Sequence, residues 1–176
     1  MNNKIKKIGI IVILFFIIIL YLMFINSNML LRKYDTLEKA LKANSINPES
    51  VIGILEQENV KLITYMGISG TENIFFYLDI NNKYYTYRTS MGIPAFRITF
   101  KKHQILVMER DANMIIYVSS SFLSEDSIVC DSINSEFSYC KINFYDAFLR
   151  KWLLVLDQLP EDYKIIIDGE SIDINI

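Results

Sequence analysis

The stretch that most constrains this chain lies near its start. Across residues 8–25 every residue except Gly9 is strongly apolar or aromatic, and no charge occurs between Lys7 and Arg32. At about 1.5 Å per residue, such a run wound as a helix crosses a hydrocarbon layer roughly 30 Å thick. A helix satisfies its own backbone hydrogen bonds in lipid, whatever the share of Ile and Val. The run therefore predicts a transmembrane anchor at residues 8–25, with residues 1–7 as a tip and 26–34 as a juxtamembrane link. Lys4, Lys6, Lys7 and the amino terminus precede it, while Arg32 and Lys33 come after it. The positive-inside bias then predicts a single-pass protein of the cell membrane, with a cytoplasmic N-terminus and an extracytoplasmic remainder. A cleaved signal peptide shares the charged start and apolar core. Against it, the run exceeds a usual signal core, and residues 24–28 offer no A-x-A-like cleavage site. No cysteine stands nearby to carry a lipid.

The whole chain is 52% apolar with a net charge of −2, but both figures average two unlike parts. Residues 26–176 are about 48% apolar and hold all 20 acidic but only 15 of the 18 basic groups, a balance of about −5. That composition excludes a disordered chain and has length enough for its own core. An acidic external part excludes the basic face of a nucleic-acid binder. One histidine and two cysteines exclude the usual Cys/His zinc site, and no cofactor is expected.

Within residues 35–176, a short amphipathic helix is predicted over 35–43. Asp35 or Thr36 caps it, and Leu37, Ala40, Leu41 and Ile46 share its face. Asn47-Pro48 marks its end. Strands are predicted next at 60–66, 74–80, 83–89, 96–101, 104–110 and 114–119. The second and third of these are expected to form a hairpin around Asn81-Asn82, setting Leu78 opposite Tyr85, Phe76 opposite Tyr87 and Phe75 opposite Arg88. Residues 128–133 and 137–144 are expected to form another around Asn134-Ser135-Glu136. A third flanks the Asp168-Gly169 turn. Residues 146–159 fit a helical face and a buried strand alike; flanking strands favour the strand. The fold class is thus a transmembrane helix followed by a mainly antiparallel β (α+β) domain. An alternative divides that domain near 119–126, with a sandwich-like C-terminal part.

Cys130 and Cys140 would face each other in the 128–144 hairpin. In an oxidising compartment that arrangement predicts a structural disulfide, against buried free thiols. Their spacing is unlike a redox C-x-x-C. Lys101-Lys102-His103-Gln104 reads as a polar turn, which makes His103 a solvated residue without a supporting catalytic motif. The carboxylates around Glu125, Asp131, Asp162 and Asp168 lack the ligand pattern of a calcium loop. Tyr84, Tyr85, Tyr87 and Arg88 suggest an interaction surface. Tyr84 must point away from Tyr85 and Tyr87, however, so packing is the favoured role.

The layout resembles that of small membrane-anchored proteins of Bacillus-type low-GC Gram-positive bacteria. The Lys-rich start and Ile-rich anchor carry the likeness, together with the T-x-E-x-A helix at Thr36–Ala40 and the aromatic hairpin beginning at Phe75. The ending Leu159-Pro160-Glu161-Asp162-Tyr163-Lys164-Ile165 with its Asp168-Gly169 turn adds to it. The resemblance implies an anchored β domain and no activity; the cysteine pair does not belong to it. The expected function is a non-enzymatic binding module whose partners are the lipid bilayer and a protein or envelope component. An envelope hydrolase or thiol enzyme, and a carrier of an apolar ligand, are the alternatives.

Overall fold

Thr36 starts a helix because its hydroxyl satisfies a backbone N–H that the first turn leaves open: Oγ1 accepts from Lys39 N at 3.3 Å. This helix, α1 (Leu37–Ala43), buries Ala40 and Leu41 and is closed by Asn44, whose side-chain amide donates to the Ala40 carbonyl at 2.8 Å. Asn47 caps a short 3-10 turn at Pro48–Ser50. The computed structural model describes residues 15–19, 32–86, 96–110, 113–120, 127–144 and 147–174.

Three antiparallel sheets make up the rest. The first has the order β1 (Val51–Gln57), β2 (Val60–Gly67), β3 (Gly70–Leu78), β4 (Tyr84–Tyr85). The second contains β5 (Phe96–Phe100), β6 (His103–Arg110), β7 (Asn113–Ser120), β10 (Ala147–Leu156) and β9 (Ser138–Phe144), in that spatial order. The third has the order β12 (Glu170–Asp173), β11 (Lys164–Ile167), β8 (Val129–Asp131). Strands from either side of residues 119–126 share the second sheet, since β10 pairs with β7 from Lys151↔Ser119 to Leu156↔Met114.

Side-chain alternation stacks these sheets into layers. On the first sheet, Ile63 and Phe76 pack under Ala40, Leu41 and Ile46, while Val60, Leu62 and Tyr77 turn to the second sheet. There they meet Ile115, Leu153 and Val155. From its other face the second sheet sends Ile105, Val107, Ile116, Val118, Trp152 and Leu154 against Tyr163, Ile165 and Ile167 beside the third. The five-stranded sheet is therefore covered on both sides. A strand buried on both faces reads as a continuous apolar run, which is why residues 146–159 showed no clean alternation. Within them Ala147–Leu156 form β10, the strand reading.

β1 crosses close over β9 at Gly53, where its register against β2 slips by one residue. A Cβ there would sit 2.5 Å from Ile142 Cδ1 and 2.8 Å from Ile142 Cγ1, inside any normal contact. Gly53→Ala is expected to cost about 1–3 kcal/mol by overpacking. In a double-mutant cycle, Gly53→Ala with Ile142→Ala should cost less than the two single changes added together. Additive denaturation midpoints would show that the close approach is not felt.

Three expectations change. The β3–β4 connection is not a two-residue Asn-Asn turn. The Asp79 carboxylate accepts from the backbone N–H of both Asn81 and Lys83 at 2.9 Å, and Asn82 takes a positive φ of 56°. This wider loop moves the register by one, setting Tyr77 opposite Tyr85 and Leu78 opposite Tyr84. The 128–144 hairpin does not form: β8 pairs with β11 and β9 with β10. Asp131 turns the corner instead, accepting from the N–H of Ile133 at 3.2 Å and of Ser135 at 2.8 Å, while Tyr163 donates to its other oxygen at 2.8 Å. Beyond the corner, Gln57 donates to the Glu136 carbonyl and Ser138 to the Glu56 carbonyl, drawing β9 towards β1. His103 is the third change. It is the first residue of β6, pointing inward with Ile105 and Val107, and is 1% exposed. The turn ends at Lys102, so the Lys-Lys pair takes the solvent.

No helix among the described residues is long and apolar enough to cross a membrane. Of the expected anchor, only residues 15–19 are described, as a helical segment on which Phe15 is 64% exposed and Ile18 53%. The rest of residues 8–25, with Lys4, Lys6 and Lys7, lies outside the described residues. The C-terminal hairpin stands as expected, with Asp168 at φ 53° and Gly169 at φ 83° in the turn between β11 and β12.

Candidate functional site: a buried lysine in a polar cleft

Arg150-Lys151 opens the apolar run of β10. A strand sends successive side chains to opposite faces, so two adjacent basic residues on an inner strand of a doubly covered sheet must each enter a different interlayer space. Lys151 turns towards the first sheet and is 1% exposed. Its ammonium donates to Thr64 Oγ1 on β2 at 2.7 Å and to Asn73 Oδ1 on β3. It also stands 5.8 Å from the centre of the Tyr117 ring on β7. Thr64 Oγ1 and Asn73 Oδ1 are themselves 3.1 Å apart. The Tyr117 hydroxyl is hydrogen-bonded to the side chains of Ser119 and Asn73, and burial raises its pKa to about 12.

The ammonium borders a cleft of about 360 Å³ between the first and second sheets. Thr71 and Asn73 form one wall and Tyr117, Ser119 and Gln104 the other, with Lys102 also on the lining. Burial lowers the Lys151 pKa to about 8, and the electrostatic neighbour that opposes this is Cys140, its cross-strand partner. Burial in turn pushes the Cys140 thiol up, while the Lys151 charge pulls it down. Lys151 thus holds a charge among neutral hydroxyl and amide groups.

The residues singled out from sequence fall elsewhere. Cys130 lies on β8 and Cys140 on β9, in different sheets, and both are free thiols. The disulfide expectation fails with the hairpin that would have aligned them. Tyr84 is half-buried against the helix-side cluster, with the Lys61 ammonium 5.6 Å from its ring centre. Tyr85 is buried on the opposite face, 5.7 Å from the Tyr77 ring. The two serve separate packing layers, while Tyr87 and Arg88 lie outside the described residues.

His103 Nε2 lies 3.5 Å from Ser127 Oγ, while Nδ1 has no partner among the described residues. Burial lowers the His103 pKa, Asp168 opposes that shift, and Lys102 and Lys101 add to it. A serine–histidine pair working as nucleophile and base needs a third group orienting the ring, and Nδ1 lacks one here. Neither His103 nor Ser127 lines the Lys151 cleft. Among the described residues no group of three or more His, Cys, Asp or Glu side chains is arranged to hold a metal ion.

Sequence reading passed over Lys151, Asn73, Thr64 and Tyr117. A signal was present: once residues 147–156 are taken as a strand buried on both faces, alternation sends Lys151 inward. The Thr64–Asn73 pair had none, because it depends on the β2–β3 register. Comparison with family models, curated proteins and solved structures finds no match to this chain.

Proposed function

We propose that this chain is a single-pass, membrane-anchored binding module of the cell envelope, and that the Lys151 cleft is its ligand site. The observation that carries the reading is a buried ammonium bordering an open polar cleft whose described walls are hydroxyl and amide groups. A binding site needs a concave surface with a few convergent polar groups, and this cleft supplies both.

The tether supports the same reading. Residues 8–25 form an uncharged apolar run behind Lys4, Lys6 and Lys7, which favours an N-terminus inside and the β domain outside. From that run the chain reaches the domain at Lys33 and Tyr34. Lys33 pairs with Asp79 at 2.8 Å, and Tyr34 exchanges two backbone hydrogen bonds of 2.8 Å with Tyr84. Both contacts lie at the Leu78 end of β3, whereas Thr71 and Asn73 lie at its Gly70 end. At roughly 3.3 Å per residue, the cleft wall stands about 15–25 Å further along the strand from the tether side. A ligand site held away from the membrane suits a module that meets something in the envelope.

Alkaline carbonate extraction tests the anchor: the protein should stay in the membrane pellet, and its release would contradict the reading. Protease added to intact cells lacking an outer barrier should cut within residues 40–170; a fully protected domain would reverse the orientation. For the non-enzymatic part, purified full-length protein should leave cell-wall and peptide substrates intact. Turnover abolished by His103→Ala would favour a hydrolase built on the His103–Ser127 contact.

A further inference from the structure

We infer that the Lys151 cleft selects a small hydroxylated carboxylate, whose carboxylate pairs with the Lys151 ammonium while the hydroxyl and amide groups of the walls hold its hydroxyls. This rests on the proposed binding role of the cleft and names its ligand class.

The first observation is the sign of the lining. Residues 26–176 carry a balance of about −5, yet among the described residues the cleft is lined by Lys102 and Lys151 and by no carboxylate. Two other clefts in the same domain share the acidic average. One, beside α1, includes Glu72, and the other includes Glu109, Glu161 and Asp162. A cation-lined hollow in an acidic domain draws anions against the surrounding field.

The second is the unfinished coordination of Lys151. An ammonium has three N–H donors. Thr64 and Asn73 take two, and the third has no partner among the described residues. A buried charge is stable when paired, and neutral acceptors supply hydrogen bonds without a countercharge. A carboxylate oxygen would complete both.

The third is the match of charge and polarity. Among the described residues Lys151 is the one deeply buried cation of the lining, since Lys102 is exposed. A monoanion therefore fits better than a phosphate dianion, which is usually held by several cations or a bidentate arginine. Thr71, Gln104, Tyr117 and Ser119 offer neutral donors and acceptors, and among the described residues Leu149 is the only aliphatic side chain on the lining. That surface suits hydroxyls and not an alkyl chain, so an apolar cargo is disfavoured. About 360 Å³ accommodates a monosaccharide acid.

The test uses full-length protein in detergent micelles, titrated by calorimetry with D-galacturonate, its uncharged methyl ester, D-galactose and inorganic phosphate. Galacturonate is expected to bind at least tenfold more tightly than the ester or galactose. Lys151→Met should abolish that preference. Binding should weaken above about pH 8, as the free ammonium loses its proton. The ester or galactose binding as well as the acid, with binding still lost in Lys151→Met, would overturn the carboxylate class and leave the cleft as the ligand site. Phosphate outcompeting galacturonate would do the same. If no probe bound, or all bound Lys151→Met as they bind the wild type, the cleft reading itself would fall.

Discussion

Lys151→Met is expected to make the protein more stable. In the native protein the lysine pKa is about 8 against an ordinary 10.5, a difference of about 2.5 units, which corresponds to a cost of about 3 kcal/mol for keeping the charge buried. Methionine has a similar length and fills the same space without the charge. Thr64 Oγ1 and Asn73 Oδ1, 3.1 Å apart, can still bond to each other, so neither is orphaned. Against this stands the loss of two hydrogen bonds from the ammonium. The net gain at pH 7 is expected to be about 1–3 kcal/mol, or a rise in melting temperature of roughly 5–10 °C.

The pH dependence has a definite sign. Because the folded-state pKa is depressed, the unfolded chain binds more protons between about pH 8 and 10.5, and stability rises with pH across that window. Below pH 8 the cost is complete; above 10.5 it has vanished. The advantage of Lys151→Met should therefore be full at pH 7 and shrink towards zero above pH 10. A variant less stable than the wild type at pH 7, or one whose advantage does not change with pH, would show that the buried charge carries no such cost. A residue that destabilises the fold in this way is expected at a site kept for function, since stability alone would replace it.

Leu154→Ala should have the opposite effect and a larger one. Leu154 is 2% exposed on β10, opposite Ile116 on β7, and packs between the second and third sheets with Ile105, Ile165 and Ile167. Both neighbouring strands are held by the sheet, so the space has little freedom to collapse. The expected loss is about 3–5 kcal/mol, a large share of the stability of an ordinary domain. Urea unfolding followed by the fluorescence of Trp152, the single tryptophan, would measure it. Ile68→Ser, at a fully exposed turn position, is the control and should stay within about 0.5 kcal/mol. Equal midpoints for the two variants would mean that β10 is not central to the fold.

Several elements were legible because their determinants are local. Thr36 and the Leu37, Ala40, Leu41, Ile46 face mark α1 without reference to the rest of the chain. Asp168-Gly169 likewise carries its own positive-φ turn. The β5–β7 strands showed in runs of β-branched and aromatic residues broken by polar pairs. β1 was missed because Glu58-Asn59 is a weak turn signal and Gly53 interrupts the pattern. The β3–β4 register depended on Asp79 reaching two backbone N–H groups, a choice between turn geometries that the Asn-Asn pair also permitted. Around Asn134 the same ambiguity was larger. A polar segment between two strands makes either a hairpin or a corner, and the Tyr163–Asp131 hydrogen bond, from more than thirty residues away, selects the corner.

By itself, then, the sequence determined the uncharged apolar run at residues 8–25, the acidic balance of residues 26–176, the helix, most strands and the Asp-Gly turn. Each is set by neighbours in the chain, where composition and period act directly. The tertiary structure alone decided which strands meet. It parted Cys130 from Cys140, turned His103 inward, and brought Thr64, Asn73, Tyr117 and Lys151 from four strands into one polar cluster beside the cleft. Such meetings are fixed by register and layer stacking, which are the joint outcome of all the packing faces at once and are written in no single segment.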